Sequence, residues 1–154
     1  MSDITVRPVR ETDIPFIREQ HVHVEATAAP PWRRVESSIH GDAWIENVTG
    51  NAPDDQAIFV AVDVTGERLG YTWVLALTDF DAVEPHGHVA EVGVAAQAQG
   101  RGVGSQLIAA AENWCRKQDL LEVTLHCYIG NERAHRLYQH LGFENEWYQM
   151  RKGL

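Results

Sequence analysis

In the opening "DITVRPVR", Ile4 and Val6 alternate with polar partners, which predicts a strand. In "ETDIPFIREQH" the period lengthens and predicts a helix, with Thr12 or Asp13 as N-cap and Pro15 in its first turn. Regular helix cannot continue through Pro30 and Pro31 of "ATAAPPWRR". A second helix is expected from about Val35 to Val48, ending near Gly50 and Asn51. The runs "AIFVAVDV" and "RLGYTWVLAL" are β-rich and joined by Thr65-Gly66-Glu67, a hairpin signal. A polar, acidic loop, "TDFDAVEPHG", then leads into a further strand, "HVAEVGV".

Past a glycine-rich stretch, Val103, Leu107, Ile108, Ala111, Trp114 and Cys115 recur at helical spacing to about Lys117. "LEVTLHCY" predicts a strand. Ala134, Leu137, Tyr138 and Leu141 stripe a short helix that Gly142 stops, and "NEWYQMRK" predicts a last strand. The order is β-α-α-β-β-β-α-β-α-β: an α/β (mixed α+β) domain with one mixed, mostly antiparallel sheet and helices on both faces.

Composition changes this picture little. At 154 residues, 44% hydrophobic and 23% charged, the chain is expected to form one domain over residues 1–154 with a real core. No apolar run approaches the ~20 residues of a membrane span, and "MSDITVRPVR" lacks a signal-peptide pattern, so a cytoplasmic protein without membrane partners is expected. Cys115 and Cys127 lie in apolar patterns without CxxC spacing and read as reduced thiols. A net charge of −9 argues against nucleic acid and suits cationic substrates.

"QAQGRGVGSQL" has glycines at Gly100, Gly102 and Gly104, between a strand and a helix. Backbone N–H groups converge at such a turn, and the helix dipole favours an anion there. No lysine follows to make a P-loop, and the GxGxG spacing, late in the chain, is not the dinucleotide fingerprint. A tight turn with close helix-strand packing would explain the glycines equally well on spacing alone.

Further residues separate these readings. Gln99-x-x-Gly102-x-Gly104 resembles the Q/R-x-x-G-x-G/A signature of the GNAT superfamily of acyl-CoA N-acyltransferases. "NERAHRLYQHLGF", Asn131 to Phe143, resembles that family's second segment, and "VAVDVTGERLGYTWV" its central hairpin. The resemblance implies an N-acetyltransferase using acetyl-CoA as co-substrate. It also implies that Gln99, Gly100, Arg101, Gly102, Val103, Gly104 and Ser105 form the pyrophosphate turn. Gly102 and Gly104 would admit the phosphate, and Gly100 would serve the turn itself. The strand through Val92 and Val94 would splay from its neighbour to admit the pantetheine arm, and an N–H near Val94 would polarise the thioester carbonyl. Asn131 would hydrogen-bond the pantetheine region, although a helix N-cap reads identically.

By the same resemblance, Tyr138 is the acid that protonates the departing thiolate; core packing is its alternative reading. An alkylammonium with a pKa of ~10.4 costs about 4–5 kcal/mol to deprotonate at pH 7, so a base is useful. The family's two glutamate positions hold His88 and His126 here, and histidine suits the chemistry. Glu91, on the opposite strand face from His88 unless a bulge intervenes, is a third candidate.

His21-x-His23 and His86-x-His88 raise the question of metal, but no ligand set has zinc spacing and no metal is expected. Trp32, Trp44, Trp73 and Phe80 could wall an acceptor pocket, with Asp79, Asp81 and Glu84 drawing in a small-molecule or peptide amine. The other function class is a catalytically silent acyl-CoA-binding or sensing module on the same fold. Such families often pair through exposed strands or helices, so a homodimer is among the expectations.

Overall fold

The computed structural model of the chain describes residues 3–32, 54–78 and 83–154, without the side chains of 25–28. The expected helix over 35–48, with Trp44, and the acidic residues Asp79 and Asp81 with Phe80, lie outside the described residues. Strands β1 (Ile4–Pro8), β2 (Gln56–Asp63), β3 (Arg68–Leu77), β4 (His86–Val94) and β5 (Val123–Leu125) pair in sequence order in one sheet. The first three pairings are antiparallel; β4 and β5 are parallel. The helices are α1 (Ile14–Ala28), α2 (Val103–Lys117) and α3 (Glu132–His140). No helix among the described residues is long and apolar enough to cross a membrane.

Local chemistry accounts for most boundaries. The β2–β3 hairpin turns where expected: Asp63 Oδ1 accepts from Thr65 N, Thr65 Oγ1 and Glu67 N. Pro15 sits in the first turn of α1 and the helix stops before Pro30. Neither expected cap residue acts as the N-cap of the helical segment. A short 3-10 turn, Glu11–Asp13, starts at Arg10, and Asp13 reaches back to accept from Arg10 N at 2.8 Å. Asp13 is fully buried; Arg7 Nη1 and Arg68 Nε each donate to it at 2.7 Å, tying the entry of α1 to β1 and β3.

The sheet separates two packing layers. Toward α1 lie Ile17, Ile58, Val60, Val62 and Tyr71. On the other face, Ile108, Ala111 and Cys115 of α2 meet Val74 and Val89, with Tyr138, Leu141 and Phe143 packed against them.

Two strand expectations are corrected. "LEVTLHCY" yields a strand of only Val123–Leu125. Its last pair, Val89↔Leu125, immediately precedes a bulge at Ala90, since Val89 pairs with Val74 but Glu91 with Trp73. An extra residue bends its strand and can end a ladder, and here it does. "NEWYQMRK" forms no strand; residues 144–154 are exposed and irregular. Adjacent Trp147 and Tyr148 would point to opposite faces of a strand, leaving neither face consistently apolar. Instead Trp147 meets the His126 ring edge-on, and the Arg151 guanidinium lies 4.2 Å over the Trp32 ring.

Candidate active site

The chain leaves β4 at Val94, makes a 3-10 turn over Ala96–Ala98, and enters α2 through the glycines. Gly102 is the N-cap of α2 with φ 80, in the left-handed region that favours glycine. A Cβ built there would meet nothing within 4 Å, so the space over the turn is open. The first ladder bond of α2 runs from Gln106 N to Gly102 O, leaving the N–H groups of Val103, Gly104 and Ser105 without intrahelical acceptors. The first turn holds no acidic side chain, and buried Val103 anchors it in the core. These features fit an anionic pyrophosphate. Gly104 has a different spatial constraint: its Cβ would lie 3.0 Å from Leu137 Cδ2, so the missing side chain lets α3 pack on α2. Arg101 is exposed, and Arg133 of α3 donates to Gln99 Oε1 across the turn.

Beyond Val89, β4 runs on without β5. Ala95 N donates to Leu69 O on the β3 side, so strand alternation turns the N–H groups of Val92 and Val94 toward the opened side. Asn131 Oδ1 accepts from Ala134 N, so the capping role is present. Tyr138 of α3 packs against Phe143, with ring centroids 5.8 Å apart. Burial, with a smaller contribution from Cys127, pushes its phenol up to about 12. It therefore stays protonated, and able to donate, at neutral pH.

The opposite face carries a different set. The bulge at Ala90 turns Glu91 onto the same face as His88, against the simple alternation. His21 of α1 brings Nδ1 to 3.0 and 2.8 Å from the two Glu91 carboxylate oxygens, and Tyr71 of β3 donates its hydroxyl to Oε1. An ionised carboxylate only accepts, so this geometry puts a proton on His21 Nδ1. Tyr71 fits because its neighbour is glycine: a Cβ on Gly93 would sit 2.5 Å from Tyr71 Cε1. Further along, His88 Nδ1 is 2.8 Å from Thr124 Oγ1, and its ring centroid lies 4.9 Å from that of His126.

The fold agrees with known proteins that the chain resembles. The description "Acetyltransferase (GNAT) family" matches residues 20–143. The chain belongs to this family. A mycothiol acetyltransferase of Paenarthrobacter aurescens (strain TC1) is 37% identical over 90 residues, 58% of this chain and 28% of that protein. The chain thus spans little more than a quarter of the length of such relatives. An aminoglycoside N(6')-acetyltransferase type 1 of Stenotrophomonas maltophilia is 29% identical over 122 residues, 75% of this chain and 80% of that protein. Aminoglycoside N-acetyltransferase AAC(6')-Iy, solved in complex with CoA, shares the fold with a TM-score of 0.77 at 19% identity, covering 100% of this chain and 96% of that one.

Within this GNAT chain, the expected residues fall into two groups. Gln99 through Ser105, Val92, Val94 and Tyr138 gather around the end of β4 and the α2–α3 side. Glu91, His88 and His126 gather on the α1 side. His21 and His23 lie two apart on a helix rather than on an extended segment, so they do not share a face. Sequence reading missed His21 and Tyr71 as partners of Glu91, Arg133 as the partner of Gln99, and Trp147 as the neighbour of His126. The nearest signal was Arg133, inside the segment that resembles the family. Nothing in the spacing links His21 to a residue seventy positions away.

Proposed function

We propose that this acetyltransferase transfers the acetyl group of acetyl-CoA to a primary amine of a small molecule or peptide, within a single domain. One observation carries the reading: β4 parts from β5 after Val89 and leads, through a 3-10 turn and the glycines, into the open, amide-lined start of α2. That arrangement fits an extended acyl carrier with a pyrophosphate at one end. A relative named for N-acetylation supports nitrogen as the acceptor.

When bound, acetyl-CoA supplies an activated thioester. The N–H groups of Val103, Gly104 and Ser105 hold the pyrophosphate, with Arg101 and Arg133 as neighbouring cations. The N–H of Val92 and Val94 line the gap and orient the acyl arm, with the N–H near Val94 polarising the carbonyl. From the α1 face, the substrate ammonium gives up a proton to a group there, and the lone pair of the resulting amine attacks the acyl carbon. The C–N bond forms, the C–S bond breaks, and its electron pair goes to sulfur. Tyr138 then donates its phenolic proton to that sulfur and is restored by the second nitrogen proton; one proton in total passes to water.

The test is thiol release from acetyl-CoA across a panel of amines, beside direct titration with acetyl-CoA. Amine-dependent release with a saturable acetyl-CoA term supports the reading. Tight binding with no release under any amine indicates a binding or sensing module instead.

A further inference from the structure

The chain changes face between Phe143 and Trp147. Phe143 packs with Tyr138 on the α2–α3 side, and its N–H donates to Tyr138 O at 3.0 Å. Four residues on, Trp147 lies against His126 on the α1 side. His126 faces that side because Val123 and Leu125 point the other way, into the α2 layer. The C-terminal segment thus passes around the β5 side of the sheet and runs on toward α1, where the Arg151 guanidinium lies 4.2 Å over the Trp32 ring.

The segment completes a row of rings at the mouth of the opening. Val89 and Leu125 are the last pair of the β4–β5 ladder, and His88 and His126 are their neighbours in the chain. The centroids of His88 and His126 are 4.9 Å apart, and Trp147 follows at 5.5 Å from His126. That last contact is T-shaped and leaves Trp147 58% exposed. An indole offers a wide apolar face, one N–H donor and no acceptor. A flat apolar body stacks on it and a cation is drawn to its face, whereas a hydroxyl-rich body finds no acceptor there.

We infer that Trp147 is a specificity-determining residue for the acceptor, selecting a primary amine carried on a flat apolar body, an arylalkylamine, over a hydroxyl-rich amino sugar. The inference deepens the acyl-transfer reading above and rests on it. His126 supports the indole, and Arg151 is a positioning residue: it touches no substrate and holds the end of the segment that carries Trp147.

The experiment measures kcat and KM by thiol release with phenethylamine and with glucosamine, in wild type, Trp147→Ala, Trp147→Phe and Arg151→Gln. Wild type favours phenethylamine in kcat/KM by about tenfold or more. Trp147→Ala raises KM for phenethylamine about tenfold, with kcat and both glucosamine constants within about twofold of wild type. Trp147→Phe keeps most of the preference. Arg151→Gln raises the same KM about threefold and adds nothing when combined with Trp147→Ala. Titration with acetyl-CoA, unchanged in each variant, shows that the fold is kept; should Trp147→Ala fail there, Arg151→Gln gives the same readout. Wild type that uses amines without favouring phenethylamine overturns the inference alone. So does an unmoved KM in folded Trp147→Ala, an equal change for both amines, or an unmoved KM in Arg151→Gln where that must stand in. Wild type without thiol release under any amine overturns the function reading as well.

Discussion

The two faces of the sheet at the β4–β5 opening are built by different rules. The α2–α3 face is made of short chain segments: one glycine turn, one helix N-terminus and one helix carrying Asn131 and Tyr138. Much of its chemistry is backbone chemistry, which a Gly-x-Gly turn announces in its own letters. The α1 face is assembled from side chains on α1, β3, β4 and β5, brought together by a bulge and by the docking of a helix. Its chemistry belongs to no segment. The α2–α3 face therefore sits where a motif can encode it, and the α1 face where only packing can.

The largest break in that comparison is expected from the α2–α3 face. Tyr138→Phe should lower kcat about 100-fold with little change in KM for acetyl-CoA, measured by thiol release. An unchanged kcat would reduce Tyr138 to the packing role that its contact with Phe143 already shows.

The α1 face depends on how α1 is anchored, and Asp13 is that anchor. Burial alone would push its carboxyl up; hydrogen bonds from Arg7, Arg10 N and Arg68 outweigh it and hold it at about 2. A carboxyl depressed on folding contributes stability above the unfolded value of 3.8, lost as pH falls toward 2. Asp13→Asn should cost about 2 kcal/mol at neutral pH and flatten the acid limb of thermal stability between those values. A melting curve identical to wild type at pH 7 would contradict this.

Gly102→Val tests the turn itself. A β-branched residue at positive φ costs roughly 1–2 kcal/mol and fills the open space over the amides, so affinity for acetyl-CoA should fall about tenfold by titration. Gly104→Ala should be the mildest change. The helix gains about 1 kcal/mol in propensity, while the Leu137 methyl, 3.0 Å from the new Cβ, must give way. The net change should stay within about 1 kcal/mol, with acetyl-CoA affinity within twofold of wild type. A large loss of affinity there would mean that the missing side chain of Gly104 serves the approach of the phosphate and not only the packing of α3.

The hairpin, α1 up to its proline stop, α2 with its apolar stripe, and α3 with its glycine stop were legible in the sequence. Each is set by local periodicity, turn chemistry or a breaker. The length of β5 was not legible, because its end is set by an extra residue in the neighbouring strand. "NEWYQMRK" misled because its aromatic content suits a strand while the order of its residues offers no single apolar face. Among the candidate site residues, the glycine turn and Tyr138 were within reach of a motif. Glu91 was reachable only as one of three candidates, since strand alternation put it on the wrong face.

By itself the sequence determined most of the element types, the glycine turn and the family, because those rest on contacts between near neighbours and on backbone geometry that glycine favours. The tertiary structure decided that β4 bulges at Ala90 and that Glu91 therefore faces α1, where His21 and Tyr71 hold it. A bulge reverses every later side chain in its strand, and a helix residue meets a strand residue only after both have packed. Neither event has a signature in the spacing of the residues it joins.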